Sequence, residues 1–137
     1  MESSGQAARA DGARVLVIDD DEMISVALYE RLLAGGILVD RAVEPAAAIA
    51  ALRSASYDVV VVDAYLTGQL QRRAVELLET IRSAQPLARV VVLTAYGSAE
   101  LFGAIRSGSI TVLNKPQPVS EIARMVAALL EKPAASS

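Results

Sequence analysis

Acidic side chains directly follow apolar runs at two places: Asp19-Asp20-Asp21-Glu22 comes after Val15 to Ile18, and Asp63 after Val59 to Val62. Two complementary groups stand at comparable positions, Thr94 after Val90 to Leu93 and Lys115 shortly after Ile110 to Leu113. Carboxylates brought within a few ångströms repel one another, and such a cluster needs a cation or raised pKa values. A hard divalent ion such as Mg²⁺ answers that need through carboxylate and carbonyl oxygens and retained water. An ammonium group and a hydroxyl beside one carboxylate then suit a phosphoryl group, whose equatorial oxygens collect charge during transfer. A single Asp behind a strand is otherwise ordinary, because Asp20 or Asp21 can cap the next helix. Asp63 lacks that explanation, since no helical pattern begins directly behind it.

These groups meet only if the chain places the ends of its apolar runs together. The four runs are rich in β-branched residues and do not alternate with polar ones, which is how strands covered on both faces read. A weaker fifth strand, Ile37 to Arg41, follows Gly35-Gly36. Helical spacing fills the intervals. Ile24, Leu28 and Leu32 recur every four residues over 22–34, with Gly35 as the stop. Pro45 opens a helix to about Ser54, with Glu44 at its positive end. Val75, Leu78 and Ile81 mark a third, Leu101, Ala104 and Ile105 a fourth, and Ser120 caps a last helix carrying Ile122, Met125, Val126 and Leu129. Five βα units with right-handed crossovers predict an α/β three-layer sandwich, a flavodoxin-like parallel sheet of order 2-1-3-4-5. In such sheets ligands sit beyond the carboxyl ends of the strands, where the acids, Thr94 and Lys115 fall.

Composition narrows the chemistry. At 137 residues the chain has the size of one domain, and about 68% of its unfolded surface is buried on folding. The expected division is a tail over 1–13, one domain over 14–131 and a second tail over 132–137. A formal charge of −3 provides no basic field for a nucleic-acid backbone. The absence of Cys and His removes thiol nucleophiles, imidazole bases and zinc sites of either type. No segment is long and apolar enough to span a bilayer and no signal peptide is visible, so the expected location is the cytoplasm. The alanines of 46–51 read as a close-packing helix of high propensity, and Arg72-Arg73 as a solvated helix start.

With these residues in place the chain resembles the receiver domains of two-component response regulators, over about residues 14–131. The motifs are Val15-Leu-Val-Ile-Asp-Asp-Asp-Glu22, Tyr57-Asp-Val-Val-Val-Val-Asp63, Val90-Val-Val-Leu-Thr-Ala-Tyr-Gly97 and Gly108-Ser-Ile-Thr-Val-Leu-Asn-Lys-Pro116. The resemblance implies that Asp63 is the phosphoacceptor and Thr94 and Lys115 the switch hydroxyl and phosphate-binding lysine. It implies that Mg²⁺ is held by Asp19 (mainly through bound water), Asp20, Asp63 and the backbone carbonyl of Tyr65. Ala95 would leave room for the phosphoryl group. The implied partners are a sensor histidine kinase or histidine phosphotransfer protein, on another chain because this one has no His, and a downstream protein of unspecified identity. With seven residues after Leu130, the signal is expected to leave by protein contacts, through the face of the helix near Leu101, the last strand and the last helix. Such a domain turns over only its own phosphoryl group and is not otherwise an enzyme.

The chain departs from the family pattern at Thr67 where Pro is usual, in the Gln69-Leu-Gln-Arg-Arg73 loop, at Gln117 after Lys115-Pro116, and at Val112 where Tyr or Phe is usual. These departures leave a second reading, a pseudo-receiver that binds partners without phosphorylation. A hydrolase of the haloacid dehalogenase type also combines Asp, Thr and Lys. Its acidic pair follows the Lys, whereas after Lys115 only Glu121 and Glu131 remain, both in the last helix. A flavin-binding domain needs a phosphate cradle after the first strand, where this chain carries four acids.

Overall fold

Runs of β-branched residues that cannot be solvated on either face must be sandwiched, and the computed structural model shows this arrangement. It describes residues 13–19, 22–63, 70–94, 110–114 and 117–131. In chain order these form β1 (Arg14–Ile18), α1 (Glu22–Ala34), β2 (Leu38–Ala42), α2 (Pro45–Ser54), β3 (Val59–Asp63), α3 (Leu70–Ala84), β4 (Arg89–Thr94), β5 (Ile110–Asn114) and α4 (Val119–Glu131). The strands make one five-stranded sheet in the order β2-β1-β3-β4-β5, with every neighbouring pair parallel. The expected fold is therefore observed. The helix expected around Leu101 to Ile105 and the two tails lie outside the described residues, apart from Ala13. That residue, assigned to the tail from sequence, is buried, and its carbonyl accepts from the Leu38 amide at 3.0 Å.

Alternation along each strand divides the core. Leu16, Ile18, Val60, Val62, Val90 and Val92 face one side, against Ala48 and Leu52 of α2 and Leu77, Leu78 and Ile81 of α3. Val15, Val17, Val59, Val61, Val91 and Leu93 face the other, against Leu28 and Leu32 of α1 and Ile122, Val126 and Leu130 of α4. Each fully buried Val or Leu side chain contributes about 1.5–3 kcal/mol relative to exposure. The alanine-rich helix packs closely on one face only: Ala48 is buried and Ala51 half-buried, while Ala46, Ala47 and Ala50 are exposed. Met125, expected in the core, is half-buried against its margin.

Several element ends differ from expectation: α3 begins at Leu70, inside the stretch read from sequence as a loop, β2 ends at Ala42, and three others have a local reason. The turn after α1 depends on Gly36 rather than Gly35, because Gly36 has φ of 88°. The Gly36 amide donates to Leu33 O at 3.0 Å and the Ile37 amide to Leu32 O at 3.2 Å, the paired bonds of a Schellman cap. That cap consumes the Ile37 amide, and β2 therefore starts at Leu38. At α4 the cap is Pro118, not Ser120. The Pro118 carbonyl accepts from Glu121 and Ile122 amides at 2.9 and 3.2 Å, which puts Ser120 inside the helix. Pro45 is the first residue of α2 as expected, and Glu44 occupies its N-cap without a side-chain capping bond.

Polar groups fasten the amino ends of the strands. The Tyr57 hydroxyl donates to Asp40 Oδ2 at 2.6 Å, and the Arg14 guanidinium reaches the same oxygen at 3.2 Å while lying 5.8 Å above the Tyr57 ring. Gln85, following α3, accepts from the Tyr57 amide at 3.0 Å and donates to Leu52 O at 2.9 Å and Ala55 O at 2.7 Å. One side chain thus ties the entry to β3 to the C-terminal end of α2. Arg89 of β4 donates to the Leu129 carbonyl in the last turn of α4.

Two outcomes follow from this polar layer. Gln85→Ala removes a half-buried acceptor and two donations, and chemical denaturation should show a loss of about 1–3 kcal/mol. Burial first, and then the hydrogen bond to Asp40, raise the Tyr57 phenol above its ordinary value of 10.0, against a smaller opposing effect of Arg14. The unfolded chain releases this proton more readily. The resulting stability is therefore complete below the unfolded value and is lost as pH rises through and beyond it. Denaturant titrations between about pH 9 and about pH 11 should show wild type losing stability more steeply than Tyr57→Phe.

Candidate functional site

All five strands run in the same direction, so their carboxyl ends share one edge of the sheet. β1 and β3 are neighbours with Ile18 level with Val62. The next residue on each is Asp19 and Asp63, which the register brings level across strands about 4.8 Å apart. The two carboxylate residues are nearly withdrawn from solvent, Asp19 at 1% exposure and Asp63 at 2%. Asp63 is the last residue of β3 and is level with Leu93 of β4. Thr94 ends β4 one residue further on, level with Asn114 of β5. The backbone thus brings Asp19, Asp63 and Thr94 to the same end of three adjacent strands.

Lys115 directly follows Asn114 in sequence. Lys115, Asp20, Tyr65, Thr67 and Ala95 lie outside the described residues. Among the described residues no group of three carboxylate, imidazole or thiolate side chains comes together as a metal cluster. What the described part supplies is the paired acids. Buried like charges on rigid strand ends are costly unless a positive charge neutralises them. Their all-oxygen donor chemistry suits a hard dication, so Asp19 and Asp63 fit the ion expected from sequence.

The surroundings explain why these acids hold their places. The valine run of β3 is buried on both faces, and it carries Asp63 to the rim with its backbone paired to β1 and β4. The Asp19 amide donates to Ala42 O of β2 at 3.0 Å, extending the sheet contact one residue past β1. Val112 sits level with Val92, half-buried against the α2–α3 side of the core.

Two residues near this rim were not singled out from the sequence. Ser25 in α1 is fully buried, and its hydroxyl oxygen accepts from Nε of Arg41 in β2 at 3.3 Å. A signal was available in the pattern, since Ser25 occupies the inward stripe shared by Leu28 and Leu32. A small polar residue on such a stripe calls for a partner.

Comparison with known proteins gives the same picture. The transcriptional regulatory protein QseB of Haemophilus influenzae is 33% identical over 120 residues, covering 87% of this chain and 53% of that protein. The chain thus spans about half the length of this curated relative. A CheY-like response regulator receiver domain protein from Methanospirillum hungatei shares the fold, with a TM-score of 0.77 at 21% identity over 87% of this chain and 94% of that one. Response regulator protein TrrA from Thermotoga maritima, solved in complex with Mg²⁺-BeF, superposes with a TM-score of 0.67 at 28% identity, covering 85% and 98% of the respective chains. The family model for the response regulator receiver domain matches residues 15–127, and the chain belongs to that family.

Proposed function

We propose that Asp63 accepts a phosphoryl group from a phosphohistidine on a sensor histidine kinase or histidine phosphotransfer protein. The observation that carries this reading is the burial of Asp63 at the end of β3, level with a second buried acid, Asp19. A carboxylate oxygen of Asp63 attacks phosphorus in line, the bond from phosphorus to the donor's ring nitrogen breaks, and that nitrogen keeps the electron pair. Water later attacks the aspartyl phosphate, returning the carboxylate and releasing inorganic phosphate. Asp19, Asp20, Asp63 and the Tyr65 carbonyl would hold Mg²⁺, which when bound offsets the charge of the acids and of the phosphoryl oxygens. Lys115 neutralises a phosphoryl oxygen and Thr94 donates a hydrogen bond to another. The complex of the Thermotoga relative with Mg²⁺-BeF supports this use of the site. The output is a change in protein contacts with a downstream partner. The chemistry and the absence of any described membrane-length apolar helix are compatible with work in the cytoplasm.

Incubation with Mg²⁺ and acetyl phosphate should add the mass of one phosphoryl group to wild type and none to Asp63→Asn. Equal labelling of both would overturn the acceptor assignment. No labelling of wild type would favour the pseudo-receiver reading, which Val112 makes specific. In receivers an aromatic side chain at this position fills the space vacated when the threonine hydroxyl moves toward the phosphoryl group. Val is smaller and has one preferred rotamer, and a Phe-sized ring contributes about 1.5–3 kcal/mol when buried. A ligand shifts a two-state equilibrium only by its differential free energy for the two states, so coupling here should be weak. Fluoroberyllate should therefore perturb amide resonances over 98–130 only modestly in wild type and more widely in Val112→Tyr. Full perturbation in wild type, with no gain from the substitution, would make Val112 a packing residue alone.

A further inference from the structure

We propose that the groove between α1 and α4 is a self-association surface, on which a second copy of this chain docks with its α4 antiparallel to this one. The groove has a volume of about 480 Å³. Its floor is apolar, with Leu32 and Ile37 from the α1 side and Ala127 and Leu130 from α4. Its charged lining residues, Arg31 on α1 and Glu121, Arg124 and Glu131 on α4, are all exposed. Ser120, the remaining polar lining residue, is exposed as well. A pocket that orients a small molecule needs polar groups set within it. An apolar floor with exposed charges around it is instead the anatomy of a protein contact, which has an apolar centre and a polar rim.

The charges select the occupant. Two arginines and two glutamates leave the groove without net charge, so it favours neither a basic nor an acidic partner, but it complements a copy of itself. Along α4, Ser120, Arg124, Ala127 and Glu131 recur at intervals of four, three and four residues and follow one side of the helix. Arg124 and Glu131 lie two turns apart, about 10 Å, with Ala127 and Ala128 at the midpoint. A two-fold axis through that midpoint, perpendicular to the helix, runs the two α4 helices antiparallel. Arg124 then faces the partner's Glu131, and Glu131 the partner's Arg124, so that one contact yields two ion pairs. The small side chains at the centre let the helices approach closely. Farther out, the partner's Glu121 is carried past Glu131 toward the end of α1, where Arg31 occupies the last turn. Parallel α4 helices would instead set Arg124 on Arg124 and Glu131 on Glu131. Within one copy Arg124 pairs with Glu121, their side chains 75% and 46% exposed. So exposed a pair contributes little, and exchanging it for pairing across the axis costs little.

The test is sedimentation equilibrium of the full chain over a wide range of concentration, which should show a monomer–dimer equilibrium that weakens as salt is raised. Arg124→Glu and Glu131→Arg each set like charges across the axis twice, and each should raise the dimer dissociation constant about tenfold. The double variant Arg124→Glu/Glu131→Arg restores unlike pairs and should return it to within about threefold of wild type. A second measurement is independent of charge. The chain has no Cys, so a short bismaleimide should join copies of Ala128→Cys, whose thiol lies beside the axis. It should not join copies of Leu87→Cys, which is 76% exposed between α3 and β4, with α3 on the opposite side of the sheet from α1 and α4. A chain that stays monomeric at every concentration overturns the surface. So does a dimer indifferent to both reversals, or one that the double variant fails to restore. Equal cross-linking of Ala128→Cys and Leu87→Cys overturns it as well.

Discussion

The burial of β3 on both faces is the constraint from which the rest of the molecule follows. Val59 to Val62 are each at or below 1% exposure, and no two-layer arrangement hides four consecutive valines. Helices must cover the sheet on both sides, and the short connections then require parallel strands with alternating crossovers. Asp63 is the next residue after this run. Its position is therefore fixed by a strand buried along its whole length, and a carboxylate that a loop would leave mobile is anchored by backbone pairing to β4, with pairing to β1 up to the residue before it.

The two ends of the sheet have different work. At the amino ends, Arg14, Asp40, Tyr57 and Gln85 satisfy one another and the ends of helices, with no acid cluster left to neutralise. At the carboxyl ends, two buried acids, Asp19 and Asp63, stand at the ends of adjacent strands. The side-chain network of Arg14, Asp40, Tyr57 and Gln85 thus fastens one end of the strands, and the candidate site occupies the other. The hydrophobic layers and the far polar layer hold the strands that lead to Asp19 and Asp63.

Much of this was legible in the sequence because each strand is a run that has only one reasonable environment. The valine run of β3, the apolar run of β1 and Pro45 at the head of α2 announced their elements directly. Element ends were less legible. Gly35 and Gly36 are chemically identical, and only the Schellman bonds decide which of them takes the left-handed conformation. Likewise Ser120 has the side chain of a cap, but Pro118 supplies the carbonyl that starts α4. The acids Asp19 and Asp63 could be nominated from their places behind apolar runs. That they are level depends on strand pairing between residues 44 apart, which local pattern does not encode. Ser25 was passed over for a related reason: its partner is on a different element, and its polarity alone resembles a tolerated exception.

The order of the sheet leaves β2 with a neighbour on one side only. A bare strand edge is a template for recruiting another chain, and a five-residue strand with Val39 and Leu38 would be suited to that. Between these and the end of the strand lie Asp40 and Arg41, of opposite charge and on opposite faces of the sheet. A foreign strand added here would bring its own side chains beside both charges, at the cost of part of their hydration. The same two side chains that fasten the strand inward thus place opposite charges on an exposed edge, which makes it a poorer template for pairing with another chain.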